Sequence, residues 1–419
     1  MTTDSPEILR ITDLADPVLT EMQAGALAHA QANPVSLTPE AVLDEARRRT
    51  GLDDFGAPGF RERLALWMKS TDDDAELSAV GRASAFNEAV RMASNRLQVE
   101  DTIRRHPEIE NIPIDRPLMI AGLPRSGTTY TLQLMSADPR LRSLPHWEAV
   151  RPVREPYVKD GKDCRHELCQ AEWEQTDAIL PFVKAIHEFA PDHISEDIEL
   201  QGLDFGGYYF EWIAHVPEWR DYQFSHDFRP IFRYMRRVMQ LLSWQKGPNR
   251  WVSKCPQHME NLTALSDAFP DAFIVINHRD PVASIQSAIT GVTYSSRLTR
   301  TRVDVRQIAD YWIDRYERLL RACVEQRDRL NPAKSYDLFF HDLMADPFGQ
   351  LQQIYDRADV PFDQQTREAF EGAIERNKRG KHGQLAYDLR GDFGLEPAAI
   401  RERFQFYYDR FPEVRVEVK

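Results

Sequence analysis

The hydrophobic positions of this 419-residue chain change pattern along its length, and the change predicts helices first and mixed helices and strands afterwards. Up to about residue 110 the apolar residues recur at helical spacing: Phe60, Leu64 and Trp67-Met68 make one face, and Val90, Met92 and Leu97 a looser one. Thr38-Pro39-Glu40 is a helix start, with proline at the first helical position and a carboxylate in the first turn. A polar stretch from Pro107 to Asp115 reads as a linker. Beyond it come short apolar runs without alternation, the mark of strands buried on both faces. Pro117 to Ala121 is the first, then Trp251-Val252-Ser253-Lys254, Phe273 to Arg279 and Ser335 to Phe340. Helical stretches follow or separate them, after Thr128, over Met259 to Phe269, after Asp280-Pro281, over 303–330 and over 364–377.

The first apolar run ends at Gly122, turns through Leu123-Pro124-Arg125-Ser126-Gly127, and restarts as a helix at Thr128-Thr129. Strand, glycine-rich loop and helix in that order make an anion cradle, because the first amides of a helix are unpaired and its dipole adds positive charge. Gly122 and Gly127 keep the spacing of G-x4-G-K-[ST], yet Thr128 stands where the lysine belongs. That lysine reaches the β- and γ-phosphates in nucleotide hydrolases, so its absence argues against an ATPase or kinase. The loop's own cation is Arg125. The expected fold is α/β, a P-loop-like three-layer arrangement with a central parallel sheet and an N-terminal helical layer. Residues 1–114 are expected to pack as helices on a main domain over 115–419, roofing its site or forming a homodimer surface.

Residues 150–250 read as an irregular to helical insertion. They hold an aromatic window that includes Phe205, Tyr208, Tyr209, Phe210, Trp212, Trp219, Tyr222, Phe224, Phe228 and Phe232. Such rings form core in most proteins; here they are also the candidate lining of an apolar acceptor pocket.

With 42% hydrophobic residues the chain can bury a large core, and its net charge of −13 excludes a general nucleic-acid surface. No apolar run approaches the roughly 18 residues of a membrane span, and Met1 to Ser5 shows no signal peptide, so a cytoplasmic location is expected. The four cysteines, Cys164, Cys169, Cys255 and Cys323, have no zinc-site spacing, and no metal is expected.

A second candidate anion site is Arg279, with Ser284 and Ser287 three residues apart on the helix behind it. A guanidinium fork and a hydroxyl suit a phosphate dianion. Together with the first loop and with Trp251 to His258, this pattern resembles the sulfotransferases that use 3′-phosphoadenosine 5′-phosphosulfate (PAPS). Bacterial members related to the tyrosylprotein and carbohydrate sulfotransferases are the most similar, over about 115–155 and 250–420.

The resemblance implies a role for each motif. Arg125, Ser126, Gly127, Thr128 and Thr129 would hold the 5′-phosphosulfate, and Arg279 and Ser287 the 3′-phosphate. Lys378-Arg379-Gly380 would close over that phosphate. Lys254 would neutralise the bridging oxygen as the sulfate leaves, and His258 is either an assistant to the acceptor or a structural histidine. The related branches use a glutamate shortly after the first loop as general base, which points to Glu148, with His146 as its rival. The implied reaction is sulfuryl transfer from PAPS to a hydroxyl or amine of a small apolar or phenolic acceptor, without metal. Two alternatives are a P-loop kinase or ATPase and a catalytically inactive nucleotide-binding regulatory protein.

Overall fold

The apolar runs that lack alternation become the strands of one parallel sheet. The computed structural model describes residues 7–247, 249–377 and 383–417. Its central strands are β1 (Leu118–Gly122), β2 (Leu141–Arg142), β3 (Arg250–Lys254), β4 (Phe273–His278) and β5 (Ser335–Phe339), in the order β2-β3-β1-β4-β5. Every neighbouring pair is parallel. The register sets Ile120 beside Lys254 and Gly122 beside Asn277, so the carboxyl ends of β3, β1 and β4 lie side by side. The two-residue edge strand β2 is too short to show in the sequence pattern.

Alternate residues of the strands face opposite layers. Leu118, Ile120, Val252, Phe273 and Val275 pack under α5 (Thr128–Met135) and the helices Pro347–Arg357 and Gln364–Arg376. Met119, Ala121, Trp251, Ile274 and Ile276 face the other way, into a larger core. That core takes in the N-terminal helices α2 (Pro39–Thr50), α3 (Phe60–Asp72) and α4 (Ala79–Arg105), and the helix Arg229–Lys246, while α1 (Glu21–Ala32) lies against α4. Local chemistry fixes the helix starts: the Thr38 and Ser78 hydroxyls accept from the amides of Ala41 and Gly81, and Asp280 accepts from Val282.

Most of the aromatic window is core, which corrects the expectation that these rings together line an apolar acceptor pocket, although Tyr209 faces a cleft. Phe205, Phe210, Trp219, Phe228 and Phe232 are all 3% exposed or less. Phe210 lies 4.1 Å from Trp67 of α3 and 5.6 Å from Trp219, and Phe205 lies 5.9 Å from Phe60. The rings fill the seam between the N-terminal helices and the 200–240 segment.

A buried cation fastens the same seam. Arg96 of α4 is 1% exposed and donates to the Asp204 carboxylate at 2.8 Å and to the carbonyls of Phe55, Ala57 and Leu203. Its guanidinium also lies 4.3 Å from the Phe60 ring and 4.1 Å from the Tyr234 ring. Removing Arg96 leaves Asp204 with Arg63 as its sole cation among the described residues and three carbonyls without their donor. Arg96→Ala is therefore expected to lower the free energy of unfolding by about 3–5 kcal/mol. Urea denaturation followed by circular dichroism measures it; a loss under about 1 kcal/mol, the range of an exposed pair, would show that Arg96 does not hold the seam.

Candidate active site

The loop after β1 is shaped by a close approach and a left-handed turn. A Cβ on Gly122 would stand 2.7 Å from the Thr128 methyl and 2.8 Å from Asn277 Cβ, so only glycine lets the helix start this near the strand. Gly127 has φ of 88°, and Arg125 also has positive φ, at 67°. Ser126 closes the turn, its amide and hydroxyl both donating to the Leu123 carbonyl, at 3.1 and 2.6 Å. The first intrahelical bond of α5 runs from Thr131 N–H to Gly127 C=O. The amides of Thr128, Thr129 and Tyr130 are thus left facing the loop without intrahelical acceptors. Arg125 is exposed, and its guanidinium has no carboxylate partner among the described residues.

Lys254 ends β3 on the face that looks at this helix. It is 2% exposed; its ammonium is ion-paired with Glu196 and lies 3.4 Å from Thr129 Oγ1. Glu196 owes its place to its neighbour. Asp197 N–H donates to the Lys254 carbonyl at 3.1 Å, and the buried Asp197 carboxylate accepts from Ser253, from Gln201 at 2.8 Å and from His258 at 2.9 Å. Burial works to raise the Asp197 carboxyl, but His258 and the hydrogen bonds outweigh it and hold the acid below its ordinary range. His258 is thus set behind the strand, in contact with Asp197. Asp197, Cys255 and His258 also bring three potential metal-ligand atoms within 4.8 Å of one another, though the carboxylate is already filled by these donors.

Arg279 leaves the end of β4 and reaches the same loop. Its guanidinium forks onto Glu417 at 2.5 and 2.7 Å, donates to the Arg125 carbonyl, and lies 3.7 Å from the Phe340 ring centre. The helix Pro281–Thr299 then presents Ser287, whose hydroxyl is 3.0 Å from the Tyr387 hydroxyl, and Ser284, which is buried with no partner among the described residues. Lys378, Arg379 and Gly380 lie outside the described residues.

Glu148 is drawn away from the loop, whereas His146 is buried beside Ser195, the neighbour of Glu196. The Glu148 carboxylate, 4% exposed, sits 3.1 Å from the Arg142 guanidinium and 3.7 Å from Lys246. Arg142 pairs in register with Trp251, at the amino end of β3, whereas Lys254 stands at the carboxyl end. A buried carboxylate between two cations is committed to them, and these hold it toward the far end of the sheet. His146 faces Ser195 at 3.3 Å, and burial with the nearby Arg91 charge pushes its pKa down to about 3. It is therefore a neutral imidazole with little basicity.

Two residues at the centre carry no sequence signal of their own. Glu196 stands 58 positions before its partner Lys254. His187 is held well below its ordinary pKa by burial and by the charges of His193, Lys254, His146 and Arg125. Its ring lies 4.6 Å from Phe189, which lines a cleft of about 670 Å³ between α4 and the segment around His146 to Glu172.

Comparison with known proteins gives the family and the fold. The profile described as "Sulfotransferase family" matches residues 117–364. The solved structure of sulfotransferase STF1 from Mycobacterium tuberculosis H37Rv is similar at a TM-score of 0.77 with 28% identity, covering 87% of this chain and 97% of that one. Sulfotransferase STF9 from Mycobacterium avium superposes at 0.81 with 26% identity, covering 92% and 99%. Omega-hydroxy-beta-dihydromenaquinone-9 sulfotransferase Stf3 of Mycobacterium bovis is 22% identical over 273 residues, 59% of this chain. The match spans 63% of that relative's length. Among the described residues no helix is long and apolar enough to cross a membrane.

The loop geometry makes a direct prediction. Gly127→Ala forces a side chain into left-handed backbone, at a cost on the order of 1–2 kcal/mol, and sets its Cβ 3.1 Å from Leu343 and Phe340. Pyrophosphate binding measured by calorimetry should weaken about tenfold. Unchanged affinity would mean that the loop does not hold the anion.

Proposed function

The chain belongs to the sulfotransferase family, and on that premise we propose that it moves a sulfuryl group from PAPS to a hydroxyl or amine of a small-molecule acceptor, releasing 3′-phosphoadenosine 5′-phosphate. One observation carries the reading. Cations stand at the carboxyl ends of three adjacent strands, Lys254 on β3, Arg125 after β1 and Arg279 after β4, with the Arg279 guanidinium bonded to the loop of Arg125. Ligands of open parallel sheets bind at that edge, and a donor with phosphates at both ends of its ribose spans such a set. The name of Stf3 gives that relative a hydroxylated small molecule as substrate, which supports an acceptor of the same general kind.

The loop amides with Arg125, Ser126, Thr128 and Thr129 hold the 5′-phosphosulfate. Arg279 and Ser287 take the 3′-phosphate, which replaces the Glu417 carboxylate in the guanidinium fork. Lys378, Arg379 and Gly380 keep their expected part in closing over that group. The acceptor oxygen attacks sulfur in line with the bridging S–O bond. As the new S–O bond forms, the bridging bond breaks and its electron pair goes to the 5′-phosphate oxygen, where Lys254 neutralises the charge. The acceptor proton goes to Glu196, the carboxylate at the ammonium of Lys254, so the role of base falls to it rather than to Glu148 or His146. His258 acts from behind, by fixing Asp197 and with it the turn that carries Glu196.

Two variants should change nucleotide binding in opposite directions. Arg279→Ala loses charge-assisted contacts of about 1.5–3 kcal/mol each, so 3′-phosphoadenosine 5′-phosphate should bind no better than AMP. Glu417→Gln frees the fork and should tighten binding of the 3′-phosphorylated nucleotide. Calorimetry with both nucleotides decides; a wild type that binds AMP equally well ends the assignment. For the chemical step, Glu196→Gln should lower kcat by roughly 10²–10⁴-fold, with nucleotide affinity undiminished, since Lys254 is then freed toward the donor. Near-normal turnover of that variant would return the role to another group.

A further inference from the structure

A short N-terminal strap joins the two elements that meet at Ser287. One is the helix Pro281–Thr299, which carries Ser287. The other is the segment 384–393, whose Tyr387 hydroxyl lies 3.0 Å from Ser287 Oγ. Ile8 and Leu9 pair in parallel with Gln384 and Leu385, the Gln384 and Ala386 amides donating to the Glu7 and Leu9 carbonyls at 2.8 Å each. The guanidinium of Arg10 forks onto Asp392, both bonds at 2.7 Å, donates to the Ala386 carbonyl at 3.4 Å and lies 3.7 Å from the Asp388 carboxylate. It thus grips the residues on either side of Tyr387. Asp388 is fixed in turn by the short helix it starts, accepting from Gly391 N–H at 2.8 Å.

Further along the strap, Asp13 takes the Arg297 guanidinium of the Ser287 helix in a second fork, at 2.9 and 3.2 Å. Ile11 and Leu14 are buried in the core that also holds Ile285, Ile289, Leu385 and Leu389. The Tyr387 ring packs against that core while part of the residue stays open. The strap is therefore bonded to both sides of the Ser287–Tyr387 contact.

We propose that Tyr387 is a further ligand of the 3′-phosphate, donating beside Ser287, and that Arg10 is the positioning residue that holds it there. The proposal rests on the reading of Arg279 and Ser287 as the 3′-phosphate site, and adds to it a hydroxyl from 100 positions along the chain. Each of the two hydroxyls has one proton to donate. Bonded to each other they use one and keep one. A phosphate dianion has acceptor oxygens for both, and hydrogen bonds to a charged acceptor are the stronger kind. The exchange therefore favours the bound nucleotide. A tyrosine on an untethered segment would have to be ordered when the nucleotide arrives. The strand pairing and the Arg10 fork order it in advance.

Calorimetric titration of wild type, Tyr387→Phe, Arg10→Ala and the double variant, with 3′-phosphoadenosine 5′-phosphate and with AMP, tests both parts. AMP lacks the 3′-phosphate and reports whether the rest of the site is intact. Tyr387→Phe keeps the ring and removes the donor, so affinity for the 3′-phosphorylated nucleotide should fall about tenfold, with AMP bound as in wild type. Arg10→Ala should lower the same affinity about threefold, the range of a part-exposed ion pair, again without change for AMP. In the Tyr387→Phe background it should add nothing, because it acts through that hydroxyl. Undiminished affinity of Tyr387→Phe for the 3′-phosphorylated nucleotide, or an equal loss for AMP, would overturn Tyr387 as a ligand. Additive losses in the double variant, or weakened AMP binding in Arg10→Ala, would overturn the positioning role. A wild type that binds AMP as well as the 3′-phosphorylated nucleotide would end the 3′-phosphate reading itself and this proposal with it, an outcome that wild type alone tells apart from the others.

Discussion

An ammonium that is 2% exposed must have a counter-charge, and the site is arranged around how Lys254 gets one. The partner, Glu196, comes from a segment remote in sequence and is delivered by main-chain and side-chain bonds of the next residue. Asp197 ties to the Lys254 carbonyl, to Ser253 on the opposite face of the same strand, and to His258 just beyond it. One strand end therefore fixes the cation, and the residues around it fix the anion. The mate of each is set by the sheet rather than by a flexible loop, which would hold the proposed catalytic pair in its geometry.

The other two cations are treated differently, and the difference follows from exposure. Arg125 lies in the open and needs no permanent partner. Arg279 has a side chain only 12% exposed and is saturated, by Glu417, the Arg125 carbonyl and the Phe340 face. Glu417 is itself held through Asp280, which accepts from Glu417 N–H at 2.9 Å and from Arg401 at 2.9 Å. An acidic chain of net charge −13 thus keeps two of these three cations paired with its own carboxylates. A phosphate dianion competes for such a fork with more charge and more acceptor oxygens than a carboxylate.

What could be read in the sequence was what lies in contiguous runs. The strand–loop–helix unit around Gly122 and Gly127, Arg279 with Ser287, and Lys254 at a strand end each combine a backbone signal with a chemical one inside a dozen residues. Glu196 does not, because its meaning comes from a pairing across the sheet edge. Glu148 looked suitable by its distance from the loop along the chain. Its fate was decided by β2, a two-residue strand whose Arg142 claims it. The aromatic window could be counted but not assigned, since composition cannot say whether rings face a cavity or the helices Phe60–Asp72 and Ala79–Arg105.

The Lys254–Glu196 pair raises the question of why a catalytic cation should be neutralised before the reaction begins. In the proposed transfer the answer is coupling. While Glu196 is ionised, the Lys254 charge is screened from the donor and the buried ammonium is tolerated. When Glu196 accepts the acceptor proton its charge disappears, and the ammonium is left with the bridging oxygen as the nearest developing anion. At short range in a poorly solvated pocket that redistribution is worth several times what it would be in water. Deprotonation of the acceptor and stabilisation of the leaving phosphate then become one event, shared by two side chains. A cation without Glu196 would have to be exposed to be stable, and water would screen it at the moment its field is needed.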